Sequence, residues 1–183
     1  GLRPDAVCIM EAQLYNQYDF LGTASTDADL FADISSYPGT LRLFSGRKFL
    51  FFSAFAESVL FGRLRDSDLL PLQVPPLGSI GVTALHIALQ IQPGPVFFTG
   101  LDFAYEIGKT HANGSPSHTR LLAAAKRTAP PLNFGACIDR PRFQADGKAG
   151  GLSPVTTDFV LHSYLSPLNT VIGGDRRCFD ISD

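Results

Sequence analysis

The sequence has no run of positive charge, no apolar stretch long enough to cross a bilayer and no closely spaced cysteine pair, and each absence excludes a class of protein. Lys and Arg number 15 against 17 Asp and Glu, a formal charge of −2. No basic stripe is left to follow a phosphodiester backbone, so nucleic acid is not expected as a partner. The longest apolar run, residues 49–55 and on to Phe61, is broken by Ala56-Glu57-Ser58. It is too short for a span and fits a buried strand running into a helix, so no membrane segment is expected. Cys8, Cys137 and Cys178 form an odd set without metal-ligand spacing. They read as reduced thiols of a cytoplasmic protein, with Cys8 a small buried hydrophobe inside its apolar run.

What is present is enough apolar material for one substantial core, since 45% of the 183 residues are hydrophobic and 17% charged. A single domain over 1–183 is expected. Its organising stretch is 77–118. There Gly78-Ser79-Ile80-Gly81 opens an apolar run to Ile91 that is too long and too free of Gly and Pro for a strand, so a helix is expected. Ser79, Thr83, His86 and Gln90 are spaced four, three and four apart and form one polar line on it, which must face a site, a partner or a satisfied network. The turn invites a phosphate, because unpaired amides and the helix dipole favour an anion there; the alternative is that Gly78 and Gly81 serve only tight helix packing. Residues 95–100 (Pro-Val-Phe-Phe-Thr-Gly) read as a central strand, and Asp102 follows directly. In an open α/β sheet ligands sit beyond the carboxyl ends of the strands. Asp102, Tyr105, Lys109, Thr110, His111, Asn113 and His118 are therefore candidates, with turn capping by Asp102 as the other reading. The standard nucleotide fingerprints are missing. Gly108-Lys109-Thr110 mimics the end of a P-loop, but Phe103 stands where its first Gly belongs, and Ile80 stands two after Gly78 where a dinucleotide motif needs Gly.

Along the chain, 5–11 (Asp-Ala-Val-Cys-Ile-Met-Glu) reads as a parallel strand delivering Glu11 to its carboxyl end. Gln13, Asn16 and Asp19 follow in a loop, either lining the same crevice or forming turns. Asp27-Ala28-Asp29 has a spacing used to hold a metal-bound diphosphate, but it begins an apolar run rather than ending one, which favours an element start on a solvated loop. Strands are expected at 30–34, 48–53 and 70–74, and a helix at 56–64. Strand 70–74, the helix after Gly78 and strand 95–100 together predict a right-handed crossover unit that places the helix N-terminus and Asp102 on one sheet edge. A helix at 117–127 capped by Ser117 is expected next. Then comes a Pro/Gly-rich excursion at 129–152 with a hairpin at Asp146-Gly147, a helix begun by Ser153-Pro154 and ended at Pro167, and a last strand or strand pair within 171–181. His162 falls on that helix and reads as structural.

The words Gly78-Ser79-Ile80-Gly81-Val82-Thr83-Ala84-Leu85, Gly100-Leu101-Asp102-Phe103-Ala104-Tyr105 and Gly108-Lys109-Thr110-His111-Ala112-Asn113-Gly114 resemble the 6-hydroxymethylpterin diphosphokinase MptE-like family. More narrowly they resemble its bacterial motility accessory factor branch, linked to flagellin glycosylation and distantly similar to sialyltransferases. Gly1 to Glu11 resembles the family's second strand. The resemblance implies a Rossmann-like, mostly parallel sheet with helices on both faces, and transfer of a nonulosonic (sialic-acid-like) sugar from a CMP-sugar-like nucleotide donor to a protein hydroxyl, flagellin being one such acceptor. Gly78, Ser79, Gly81 and Thr83 would then contact phosphate or acceptor, with Lys109, Thr110 and Asn113 also on the nucleotide. Tyr105 or Lys109 would stabilise the leaving phosphate, Asp102 would share the catalytic site, and His111 would be the general base. Under the family name itself the reaction would be diphosphate transfer from ATP with Mg²⁺ to a hydroxymethylpterin, with Glu11, Asp19 and Asp102 as metal ligands. A third possibility is a binding or assembly module that has kept only the fold. Relatives carry a first strand and a Gly-Pro-Ser turn ahead of the segment matching 5–11. The resemblance therefore implies a sheet incomplete at the N-terminus, in a fragment or shortened copy that is inactive alone and self-associating.

Overall fold

A computed structural model describes residues 3–20, 27–54, 58–106, 114–130, 142–149 and 153–182. The chain forms two compact units, Gly1–Ile87 and Ala88–Asp183.

The first unit is built on a parallel sheet. Strands β1 (Ala6–Ile9), β2 (Asp29–Asp33), β3 (Lys48–Ser53) and β4 (Leu72–Val74) lie in the order β1-β2-β3-β4, every pair parallel. Between them run a 3-10 helix (Leu14–Phe20), α1 (Pro38–Leu41) and α2 (Val59–Asp66); α3 (Ile80–Ile91) follows β4. This is a Rossmann-like α/β fold: a parallel sheet flanked by helices, as the unbroken apolar runs at 5–11, 30–34 and 48–53 require. Parallel pairing turns the carboxyl ends of all four strands to one edge, where the connections to the helices begin.

Ile9, Leu30, Ala32 and Phe44 form a buried cluster, with Val7, Phe20, Leu41 and Leu43 packed round it and the Phe20 and Phe44 rings meeting edge to face at 5.3 Å. On β3, Phe51 and Phe52 are buried, and Phe52 meets Phe61 of α2 at 4.6 Å, which holds that short helix to the strand. Ser58 caps α2 by accepting from Phe61 N at 3.2 Å. The turn before β3 must be Gly46, because a Cβ there would stand 2.2 Å from the Ala28 carbonyl oxygen. Helix α3 is buried at Val82, Thr83, Leu85, Ile87 and Leu89, as its nearly uninterrupted apolar sequence anticipates.

In the second unit β5 (Val96–Phe98) pairs in parallel with β9 (Cys178–Asp180), forming a sheet of its own. The crossover unit expected from 70–74 through α3 to 95–100 is therefore not one sheet. A three-stranded antiparallel sheet has the order β6-β8-β7, from β6 (Tyr105–Glu106), β7 (Arg142–Ala149) and β8 (Ser153–Asp158). The helices here are α4 (Pro116–Ala124), α5 (Phe159–Ser163) and α6 (Leu165–Gly173).

Several expectations are corrected in this unit. Residues 153–158 are strand, and the helix begins only at Phe159, where Asp158 is the N-cap and accepts from Leu161 N at 2.9 Å. Pro167 does not end a helix; it is the third residue of α6, where a missing N–H costs no intrahelical bond. Asp146-Gly147 lies where the β7–β8 register shifts between Gln144 and Lys148, so it marks a bulge inside β7 rather than the hairpin turn. The cap of α4 is Ser115, which accepts from His118 N at 3.1 Å, with Pro116 in the first turn. Residues 171–173 end α6, leaving β9 as the strand of that region.

Candidate functional site

At the carboxyl edge of the first unit, a buried acid stands where β2 ends. Asp33 is 2% exposed and gathers four donors: Ser35 N at 2.8 Å, Ser35 Oγ at 2.6 Å, Ser53 N at 2.8 Å and Ser53 Oγ. It thus ties the end of β2 to the end of β3. Ser36 Oγ donates to the Ile9 carbonyl at the end of β1 at 3.3 Å, and Tyr37 N donates to the Glu11 carbonyl at 2.9 Å. Asp33 was not singled out from the sequence, where it stands inside the run Leu30 to Ile34.

The fourth connection leaves β4 through Pro75-Pro76 and buried Leu77 to Gly78, whose φ of 79° is a left-handed conformation that suits glycine. Ser79 comes next, and its carbonyl accepts from Thr83 N at 3.0 Å, so it holds the N-cap position of α3. Thr83, one turn further, is fully buried, and its hydroxyl has no hydrogen-bond partner among the described residues. A buried orphan hydroxyl is uncommon enough to require an account. His86 continues the polar line, half-buried, and burial lowers its pKa, favouring the neutral imidazole; Gln90 is exposed.

The other candidates divide. Glu11 accepts from Gln13 N at 3.0 Å and Asp19 from Asn16 Nδ2 at 3.4 Å, the latter within the 3-10 helix rather than an open loop. In the second unit Asp102 is exposed, between Gly100 at φ 77° and Phe103 at φ 49°. This turn is held: Thr157 Oγ1 donates to the Phe103 carbonyl at 2.7 Å, and the Phe103 ring meets Tyr164 at 5.5 Å. A non-glycine residue in that conformation is stored strain, which the surrounding contacts must maintain. Tyr105 opens β6 opposite Thr156. His118 Nδ1 accepts from Gly114 N at 3.3 Å, a local closure of the turn before α4. Lys109, Thr110, His111 and Asn113 lie outside the described residues, as does Cys137. Among the described residues no three His, Cys, Asp or Glu side chains are grouped to hold a metal ion.

Asp27 and Asp29 lie at the opposite, amino end of β2, and each is taken by a guanidinium. Arg3 pairs with Asp27, and Arg47 with Asp29 at 2.5 Å; both carboxyls are held below the usual carboxylate range by those hydrogen bonds. Their spacing is thus the start of a strand on the side away from the ligand edge. Cys8, on β1, has its pKa pushed up to about 12 by burial and by the Asp33 carboxylate. The thiol stays protonated, so iodoacetamide at pH 8 is expected to leave Cys8 unlabelled in the native protein and to modify it in urea, as peptide mass spectrometry would read. Native labelling would show that β1 opens.

Sheet and turn together define a Rossmann-like domain whose βα turn presents a helix N-terminus at the carboxyl edge of parallel strands. The chain belongs to the 6-hydroxymethylpterin diphosphokinase MptE-like family, whose pattern it matches over residues 1–108. A protein of Treponema pallidum (strain Nichols) described as an uncharacterized protein is 35% identical over 126 residues, covering 68% of this chain and 22% of the relative. The chain thus spans under a quarter of the length of that relative. No solved structure matches it. Among the described residues no helix is long and apolar enough to cross a membrane.

Proposed function

We propose that this chain is a nucleotide-dependent transferase domain that takes the phosphate of its donor at the Gly78-Ser79 turn, and that the group it moves is a nonulosonic, sialic-acid-like sugar bound for a protein hydroxyl. The observation that carries the reading is the turn itself. A left-handed glycine leads from the carboxyl edge of a four-stranded parallel sheet into a twelve-residue helix, with the orphan hydroxyl of Thr83 one turn inside. Amides at such a terminus point outward with the positive end of the helix dipole, which suits an anion. The sugar and the acceptor are supported by the resemblance of 78–85, 100–105 and 108–114 to motility accessory factors. In that assignment His111 takes the acceptor proton, while Tyr105 or Lys109 steadies the leaving phosphate.

A thermal-shift panel of cytidine monophosphate, CMP- and UDP-sugars, and ATP with and without Mg²⁺ tests the proposal. The cytidine nucleotides are expected to stabilise the protein, by about 2.7 kcal/mol at a hundred times the dissociation constant. Stabilisation by ATP alone and only with Mg²⁺ would replace sugar transfer with diphosphate transfer. No response to any nucleotide would leave a binding or assembly module.

A further inference from the structure

In the second unit, helices α5 and α6 meet at a corner that forms an open surface hollow of about 650 Å³. Its size suits a small organic ligand. The walls are His162 and Ser163 of α5 with Leu165, Ser166, Asn169 and Thr170 of α6. Two of these hydroxyls have spent their protons on the helices: Ser163 Oγ donates to the Val160 carbonyl at 2.6 Å, and Thr170 Oγ1 to the Ser166 carbonyl at 3.0 Å. What they present outward is therefore lone pairs. Asn169 adds an exposed amide, which both donates and accepts, and Leu165 adds an apolar patch. No carboxylate, ammonium or guanidinium group is among the lining side chains. The start of α6 is also a poor anion site, because Pro167 removes one of its first-turn amides.

Beside this hollow stands the most exposed large apolar side chain among the described residues. Phe159 is 78% exposed, and it lies three residues before His162 on α5, so the two are neighbours on the helix surface. A phenyl ring kept in water next to a rim of acceptors and an amide matches a ligand with one apolar C–H face and an edge of hydroxyl groups. We propose that the α5–α6 hollow binds a neutral sugar ring, with Phe159 stacked on its face and Asn169, Ser163 and Thr170 on its hydroxyls. This site does not depend on the transfer chemistry proposed above.

Saturation-transfer NMR with glucose, galactose and N-acetylglucosamine, their methyl glycosides, and glucose 1-phosphate as a charged control tests the site on the whole chain. At least one neutral sugar is expected to bind saturably and more tightly than the phosphate. Phe159→Ala should weaken it about tenfold, the scale of an aromatic contact, and Asn169→Leu should weaken it further. Both positions are exposed, so circular dichroism should show the fold intact; Asn169→Ala replaces Asn169→Leu if the bulkier side chain disturbs α6. Equal binding of a methyl glycoside points to the end of a glycan, and preference for the free sugar to a soluble saccharide. Absence of binding by every neutral sugar, preference for the phosphate, or full affinity in both variants overturns the proposal.

Discussion

Replacing Asp33 with Ala is expected to cost about 3–5 kcal/mol of stability, read as a fall in the urea midpoint. The carboxylate is 2% exposed and receives two backbone amides and two hydroxyls; its removal strands the amide and hydroxyl of buried Ser53, while those of exposed Ser35 can turn to water. Each buried donor left without an acceptor costs about 1–3 kcal/mol, and bonds to a charged acceptor are at the upper end. Asp33→Asn keeps the shape and one acceptor oxygen, but it turns an NH₂ toward the remaining amide, so about half that loss is expected. A loss under about 1 kcal/mol in Asp33→Ala would mean that water reaches Ser53 as well. The carboxyl edge would then be an open crevice at β2 and β3 instead of a closed network, and a donor would have room there.

The parts of this fold that were legible share a physical cause. Strands buried on both faces need apolar side chains at successive positions, so 48–53 was read with the bounds it has and 5–11 and 30–34 within one or two residues. The helix from 80 to 91 announced itself by length and by the glycine before it. Pairing was not legible in the same way, because a run such as Val96-Phe97-Phe98 is equally apolar whether its neighbour is β4 or β9. Chain order favours the sequential partner only as a tendency. At 153–158 the local signals competed: Ser-Pro is a common helix start, yet Val155-Thr156-Thr157 is β-branched throughout, and pairing on both sides with β6 and β7 decides for strand. The cap that does start the helix, Asp158, was hidden in the middle of the segment read as helical. The glycine at 78 was legible because positive φ is chemistry of the residue itself. Asp33 was not, because its importance depends on Ser53, twenty residues away in sequence and adjacent only once β2 and β3 pair.

Changing Ser79 to Asp should separate the fold from the function of this turn. Ser79 holds the N-cap of α3, with its carbonyl accepting from Thr83 N. Aspartate serves that position as well as serine, and its charge is favourable beside the positive end of the helix dipole, so the melting temperature is expected to hold or rise. A phosphate bound at the same amides would meet a fixed carboxylate within a few ångströms. At an effective dielectric constant near 20, two unit charges 4 Å apart repel by about 4 kcal/mol before salt screening, so a loss of roughly tenfold to a hundredfold in nucleotide affinity is a moderate expectation. The nucleotide to use is the one that stabilises the wild-type chain most in the thermal-shift panel. Ser79→Ala is the companion variant: it adds no charge and keeps the carbonyl that accepts from Thr83 N, so stability is expected to change by under about 0.5 kcal/mol, with little loss of affinity if backbone amides carry the contact. A stable Ser79→Asp protein that binds nucleotide as tightly as wild type would take the Gly78-Ser79 turn out of the donor site. The two glycines of that turn would then serve packing alone, and the orphan hydroxyl of Thr83 would need another explanation.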